Sequence, residues 1–414
     1  MVDDVLSVNR CSSTSVMSNA TINSFMEHNK LKLAAKKCAK IHIGKKCGNC
    51  PKLMVHEEEM KDSKSEKYLG DVISENGTLD ETIKNRKLKG YSYISEIRAL
   101  LSDMPFGHRR VEVGLMLRDA MFVNGILCNS EAWHSITSKH IEELEVMDRS
   151  LLKYIIKAHS KVQTEFVYLE TGAIPLKQII MSRRLNYLQT ILKRPQNELL
   201  RKVYELQKTN PLKGDWVEQM KIDVETLEIH FDESHIQNST KIEHKKMIKN
   251  SIRKHVFSNL KEQQTKHSKI REICYKSFKI QDYLKCHILN NQEVSLLFSL
   301  GSKTAKEFKA NFPYNQNPLC PMGCQIPDSQ EHCLDCEKLN CNDTLNRSIK
   351  YEDIFSSDIM KQAAVTKLFA SLLERREDAS ASPAGPSLCS GQDDDHTLSF
   401  DNHTLSSDVC DRRD

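Results

Sequence analysis

The chain has no apolar run approaching the roughly 18 residues that a bilayer-spanning helix needs, so a membrane-spanning helix is excluded. Its first residues, Met1-Val2-Asp3-Asp4, lack the basic segment and apolar stretch of a secretory signal, so an intracellular setting, cytoplasm or nucleus, is expected. It contains no glycine loop of the kind that cradles phosphates, no Ser/His/Asp constellation and no kinase-like signature. Those absences remove the commonest sequence routes to phosphoryl transfer and nucleophilic hydrolysis. A disulfide framework is also missing. The 14 cysteines are scattered, and the one dense group lies beside a histidine at metal-ligand spacing. That pattern favours thiols and one metal site.

What is present is a chain of 414 residues, 39% hydrophobic and 28% charged, long enough for two or three domains with their own cores. Its net charge of +4 hides an uneven distribution. Residues 378–414 carry eight acids against Arg412 and Arg413, leaving +10 on residues 1–377. Within the latter, residues 241–272 hold ten Lys/Arg, among them Lys245, Lys246, Lys249, Arg253 and Lys254, against three Glu. A local charge of +7 suits a polyanion, although a solvated helix face has the same composition.

Periodicity divides the chain. Residues 1–77 alternate short strand-like runs (39–43, 52–55 and 67–73) with one helix over 14–29 and end on the turn signal Glu75-Asn76-Gly77. Residues 78–275 are a helical block, with segments near 79–103, 110–128, 175–193, 196–208, 214–228 and 240–272, and a stripe of Ile141, Leu144, Met147, Leu151 and Ile155 capped at Thr137-Ser138. Residues 276–316 form a helical connector, 317–341 a Cys/His module and 342–377 a further helix. Residues 378–414 are rich in Ser, Asp, Gly and Pro, so an acidic, disordered tail is expected. The expected fold is therefore mainly α, with a small mixed α/β unit at the start.

Nucleotide polymerisation needs two divalent cations held by carboxylates, which a tight turn can present rigidly. Asp3-Asp4 alone is weak evidence for such a site, since Asp393-Asp394-Asp395 shows that acidic runs occur elsewhere in the chain. The surrounding order is more specific. Met1-Val2-Asp3-Asp4-Val5-Leu6-Ser7-Val8 resembles the active-site turn of non-LTR retrotransposon reverse transcriptases. Lys37-Cys38-Ala39-Lys40-Ile41-His42-Ile43-Gly44 resembles their next palm segment, and Lys67-Tyr68-Leu69-Gly70 the strand that belongs to the primer-gripping hairpin. The resemblance continues through Leu117-Arg118-Asp119, Asn124-Gly125-Ile126-Leu127, Leu144-Glu145-Val146-Met147-Asp148 and Ser182-Arg183-Arg184-Leu185, and covers residues 1–377.

The resemblance implies a partial palm over 1–77 with Asp3 and Asp4 as catalytic carboxylates and Asp3 a magnesium ligand. It also implies a primer grip at Tyr68, Leu69 and Gly70 and a thumb over 78–275 that holds an RNA–DNA template–primer. Lys84 and Arg86 follow the grip and are candidates to track phosphates, together with Lys87 and Lys89. The fingers and a further palm aspartate of the family are not in this sequence, so the chain alone is expected not to polymerise. Residues 342–377 are too few for the endonuclease that some related elements carry. A non-enzymatic, zinc-containing nucleic-acid-binding protein derived from a decayed element is the alternative.

In the Cys/His module, Cys320-x3-Cys324-x7-His332-x3-Cys336 offers three thiolates and an imidazole within 17 residues. That ligand set suits a closed tetrahedral zinc site. Cys333 and Cys341 are competing ligands. The lead-in Asp328-Ser329-Gln330-Glu331-His332 resembles that of retroelement knuckles, which bind nucleic acid, and Phe312 and Tyr314 are nearby stacking candidates. A second set, His42, Cys47, Cys50 and His56, reads better as a hairpin loop. Trp133 and Trp216 read as core residues within helical segments.

Overall fold

Cys11 stands at the start of the first helix, α1 (Ser12–His28), and its backbone N–H reaches the Thr14 hydroxyl at 3.4 Å. The computed structural model describes residues 6–9, 11–44, 51–55, 57–104, 109–158, 162–266, 275–285, 319–327, 329–340, 350, 353–354, 356 and 358–381. Asp3, Asp4, Cys47, Cys50, His56, Phe312, Tyr314, Cys341 and residues 382–414 lie outside the described residues, while residues 378–381, expected to open a disordered tail, continue the last helix.

After α1 come six short strands: β1 (Ala39–Lys40), β2 (Met54–Val55), β3 (Glu58–Glu59), β4 (Lys61–Asp62), β5 (Ser65–Tyr68) and β6 (Asp71–Ser74). They form separate pairs: β1 with β4 parallel, β2 with β3 antiparallel, and β5 with β6 antiparallel. The expected strand over 67–73 is broken in the middle. Tyr68 pairs with Asp71 across a two-residue turn in which Leu69 has φ 47° and Gly70 φ 92°. Two successive left-handed residues match the twist of a tight hairpin, and Gly70 accepts that conformation without a Cβ penalty. Leu69-Gly70 is thus the tip of a hairpin and not the interior of a strand.

The helices follow as α2 (Asp80–Ser102), α3 (Arg110–Leu117), a π-helical stretch Arg118–Val123, α4 (Asn124–Ile126), α5 (Ser138–Ile155), α6 (Thr164–Thr171), α7 (Leu176–Leu192), α8 (Leu199–Thr209), α9 (Trp216–Thr226), α10 (Glu233–Asn238) and α11 (Lys241–Lys266). Local chemistry explains several boundaries. Thr137 caps α5, its hydroxyl accepting the His140 N–H at 3.2 Å while His140 Nδ1 accepts from the Thr137 N–H, as a capping box requires. Asp215 caps α9 and Asp232 caps α10. Pro175 stands at the N-cap of α7, where its missing N–H costs nothing.

The chain is mainly helical, and among the described residues its strands lie within 39–74. Its core lies among α2, α5, α6, α7 and α11, where Ile83, Ile97, Leu101, Phe122, Ile126, Leu144, Leu151, Leu169, Leu176 and Leu185 are buried. Each such side chain contributes about 1.5–3 kcal/mol by leaving water. The expected helix over 110–128 is only partly enclosed, since Met116 is 62% exposed. Trp133 and Trp216 are both buried. Trp133 follows a 3-10 turn, Ser130–Ala132, rather than lying in a helix, while Trp216 opens α9 and donates to the Glu131 carbonyl at 2.7 Å.

Three short or terminal helices complete the described fold: α12 (Gln330–Asp335), α13 (Glu337–Asn340) and α14 (Ile359–Ala381). The last begins later than the expected helix over 342–377, and its inner face holds Ala363, Val365, Phe369 and Leu372. It contacts α12, α13 and the 3-10 turn Asp282–Leu284.

Candidate metal centre and basic helix face

The polypeptide around the metal-ligand candidates is shaped by backbone hydrogen bonds. Cys320 N–H donates to the Ile326 carbonyl at 2.9 Å, and Gly323 N–H donates back to Cys320 at 3.0 Å. A bridge between Leu319 and Pro327 closes this loop. Ser329 then caps α12, its hydroxyl accepting from His332 N–H at 3.1 Å. The cap fixes His332 one turn into the helix, facing the loop that carries Cys320 and Cys324.

As a result the Sγ atoms of Cys320, Cys324 and Cys336 and a ring nitrogen of His332 all lie within 4.8 Å of one another. Cys336 Sγ is 3.9 Å from Cys320 Sγ and 3.5 Å from Cys324 Sγ. Those separations are far longer than a disulfide bond of about 2.05 Å. They bracket the roughly 3.8 Å between two sulfurs that each lie 2.3 Å from a tetrahedral ion. His332 is 9% exposed and its Nε2 has no hydrogen-bond partner. A buried ring nitrogen without a partner is costly unless something else binds it. The four residues can therefore hold a metal ion. Cys333, the alternative ligand, is not part of this group; it is 1% exposed and belongs to the apolar cluster with Leu334, Ile354 and Phe369.

The lysine-rich segment forms α11. His244, Ile248, Ile252, Val256, Leu260 and Gln264 face inward at four-residue intervals, and the helix packs on α6 and α7. Lys241, Lys245, Lys246, Lys249 and Lys254 are exposed. Among the described residues none of these five enters an ion pair; the one on this helix joins Lys266 and Glu262 at the far end, 3.2 Å apart. Arg253 is different. It is half-buried, donates to the Phe278 carbonyl and stacks 5.6 Å from the Phe278 ring.

Arg86 departs from the sequence expectation more sharply. It is 2% exposed. Its donors reach Asp71 Oδ1 at 2.6 Å, the Cys128 carbonyl at 3.0 Å and the Gly125 carbonyl at 3.2 Å. A guanidinium so enclosed joins the hairpin to α2 and α4 and is withdrawn from any phosphate. The reason is its place on the inward face of α2, between Ile83 and Gly90. Lys84, by contrast, is exposed at a groove of about 380 Å³ between α2 and α5, whose lining includes Leu88, Tyr91, Lys139 and Glu143. Lys87 pairs with Glu143 at 3.0 Å in that groove, and Lys89 is exposed. Tyr68 is half-buried and Leu69 is 63% exposed, its carbonyl accepting from Asn129 Nδ2 at 2.9 Å.

Sequence reasoning missed a buried carboxyl. Glu170, at 3% exposure in α6, accepts from Tyr275 Oη, and Gln281 N–H donates to its backbone carbonyl at 3.0 Å. Burial pushes this carboxyl up to about 7, opposed by hydrogen bonds from Tyr275 and Tyr283. A glutamate directly after the run Phe166-Val167-Tyr168-Leu169 was the available signal. Its tyrosines lie more than 100 residues downstream, beyond the reach of any local pattern.

Comparison with known proteins adds no assignment: no family model, curated protein or solved structure matches the chain.

Proposed function

We propose that this chain binds nucleic acid through the lysine face of α11 and carries a structural zinc ion in its Cys/His module, as the C-terminal portion of a non-LTR retrotransposon RNA-directed DNA polymerase. The observation that carries the binding reading is the set of five exposed lysines without ion-pair partners. Uncompensated cations in a row attract phosphates, and each phosphate contact releases condensed counterions. Lysine contacts go to phosphates, so they would position the nucleic acid rather than select a sequence. Lys84 and Lys139, exposed beside Tyr91 in the α2–α5 groove, are secondary candidates on the same chemistry.

Zinc fits the donor set because thiolate and imidazole ligands are soft and the close grouping of four donors suits a closed tetrahedral ion. Cys320, Cys324, His332 and Cys336 would hold it. When bound, the ion would supply folding energy to the module, not chemistry. The polymerase ancestry rests on the order of the motifs around Asp3-Asp4, Ala39–Ile43 and Tyr68-Leu69-Gly70. Magnesium at Asp3 belongs to that part of the proposal.

The test is fluorescence anisotropy of labelled single-stranded RNA and of an RNA–DNA hybrid across a salt series. Affinity should fall steeply with salt. Changing Lys245, Lys246, Lys249 and Lys254 to Gln should flatten the slope of log K against log salt by about 3 on single strands. Salt-insensitive binding, or an unchanged slope in the variant, would overturn the reading. Asp3→Ala with Asp4→Ala tests the ancestry: activity restored in trans by the family's missing palm and fingers should be lost only if these acids form a polymerase site.

A further inference from the structure

Among the described residues the lysine face of α11 has no ion-pair partner, while the sequence supplies its electrostatic complement. No Lys or Arg occurs between Arg376 and Arg412, and residues 393–408 carry Asp393, Asp394, Asp395, Asp401 and Asp408. Three of these acids fall within a seven-residue repeat, Asp394-Asp395-His396-Thr397-Leu398-Ser399-Phe400 followed by Asp401-Asn402-His403-Thr404-Leu405-Ser406-Ser407, and Asp393 and Asp408 flank it. We propose that residues 393–408 dock on the exposed lysine face of α11 and compete there with nucleic acid, an autoinhibitory contact that rests on the binding reading given above.

Reach and spacing support that occupant. The helix α14 ends at Ala381 and contacts the turn Asp282–Leu284. The residues just before that turn lie against α11, where Arg253 meets Phe278. Through residues 278–284 the last helix and α11 thus share a neighbour. The twelve residues from Ala381 to Asp393 can span up to about 40 Å. Along α11, Lys241 and Lys254 are separated by a rise of about 20 Å. Asp393 and Asp401 can be about 26 Å apart in extended chain. The two sets of charges can face one another over most of their length.

The α2–α5 groove is a poorer seat for the same segment. Lys87 there is already paired with Glu143, and Asp80, bonded to His140 at 2.9 Å, adds a like charge. On α11 the carboxylates of the segment would meet lysines that have no ion-pair partner among the described residues. A tethered segment acts at millimolar effective concentration, so contacts that are individually weak in salt can hold a substantial docked population.

Two measurements on the full chain decide the matter. Zero-length carbodiimide crosslinking joins carboxylates to amines that touch, and peptide mass spectrometry should find Asp393–Asp395 or Asp401 linked to Lys245, Lys246, Lys249 or Lys254. Links to other lysines alone, including Lys84 or Lys139, or no links, would overturn the proposal. The second compares binding of a fluorescein-labelled oligothymidine by the native chain and by a variant with Asp393, Asp394, Asp395, Asp401 and Asp408 changed to Asn. With about four-fifths of the chain docked, the variant should bind roughly fivefold tighter at low salt, because affinity scales with the competent fraction. The gap should close as salt rises. Equal affinities would sink the competition. If neither protein binds the oligonucleotide, the nucleic-acid reading fails, whereas the crosslinks still decide whether the segment docks.

Discussion

Arg118 lies against Asp148 with Nε 2.6 Å from Oδ1 and Nη2 2.7 Å from Oδ2, and neither side chain is more than 2% exposed. The pair ties the π-helical stretch to α5, and Nη2 also donates to the Ile174 carbonyl at 2.9 Å. Asp148→Ala leaves the buried guanidinium only the more exposed Asp119 carboxylate, 2.8 Å from Nη1, in place of a buried two-point partner, and should cost about 3 kcal/mol in chemical denaturation. The double change Arg118→Met, Asp148→Leu should cost less than the two single changes together, because it leaves no orphaned charge. A fully additive cycle would show that the pair contributes nothing as a pair.

Glu170 predicts a pH dependence. Its folded-state carboxyl, raised by burial to about 7 against an ordinary value of 4.5, binds a proton over an interval in which the unfolded chain has released it. Stability from this group is fully present below about 4.5 and declines as pH rises through about 7, by about 3 kcal/mol in all. Glu170→Gln keeps an uncharged group of the same size. It should flatten the decline between those values and be the more stable form at pH 8. Urea midpoints measured across that range check the sign, and parallel curves for the two proteins would refute it.

The metal centre predicts one equivalent of zinc per chain, lost in Cys336→Ser and His332→Ala but retained in Cys333→Ser. Elemental analysis after gel filtration separates these outcomes. Retention in Cys336→Ser with loss in Cys333→Ser would reverse the ligand register. Because α14 packs on α12 and α13, chelation should speed hydrogen exchange across Ile359–Leu373 while leaving α7 protected.

Leu69 is 63% exposed and held at φ 47°, a conformation that costs a branched residue about 1–2 kcal/mol. Asparagine occupies that region more readily. Leu69→Asn should therefore raise stability by up to about 1 kcal/mol, visible as a higher melting temperature. No change, or a loss, would mean that the leucine side chain makes compensating contacts at the hairpin tip.

The sequence made the long helices legible because their apolar residues recur at helical spacing. The expected stripe of α5 is buried at Leu144, Met147, Leu151 and Ile155, with Thr137 at its cap. The four grouped metal-ligand candidates were legible for a similar reason: ligands close in sequence need only a short loop and a capped helix to converge. Burial direction was less legible. Lys84 and Arg86 sit two residues apart, yet one faces solvent and the other the core. Spacing relative to Ile83 and Gly90 carried that distinction, but basic character pointed the other way. The polar residues Arg118 and Asp148, noted for their resemblance to family motifs, are partners inside the core. Pairings across 30 residues or more leave no local periodicity to read.

The return of residues 275–284 to α6 has a consequence for synthesis. Gly172, at φ 63°, closes α6 so tightly that a Cβ there would lie 2.7 Å from the Lys279 backbone, and Glu170 waits for Tyr275 across 105 residues. At ribosomal rates of about 5–20 residues per second, those residues take about 5–20 s to emerge. Throughout that interval Phe166 and Leu169 lack the cover that residues 275–284 give them, so the nascent chain presents an unfinished apolar seam for seconds.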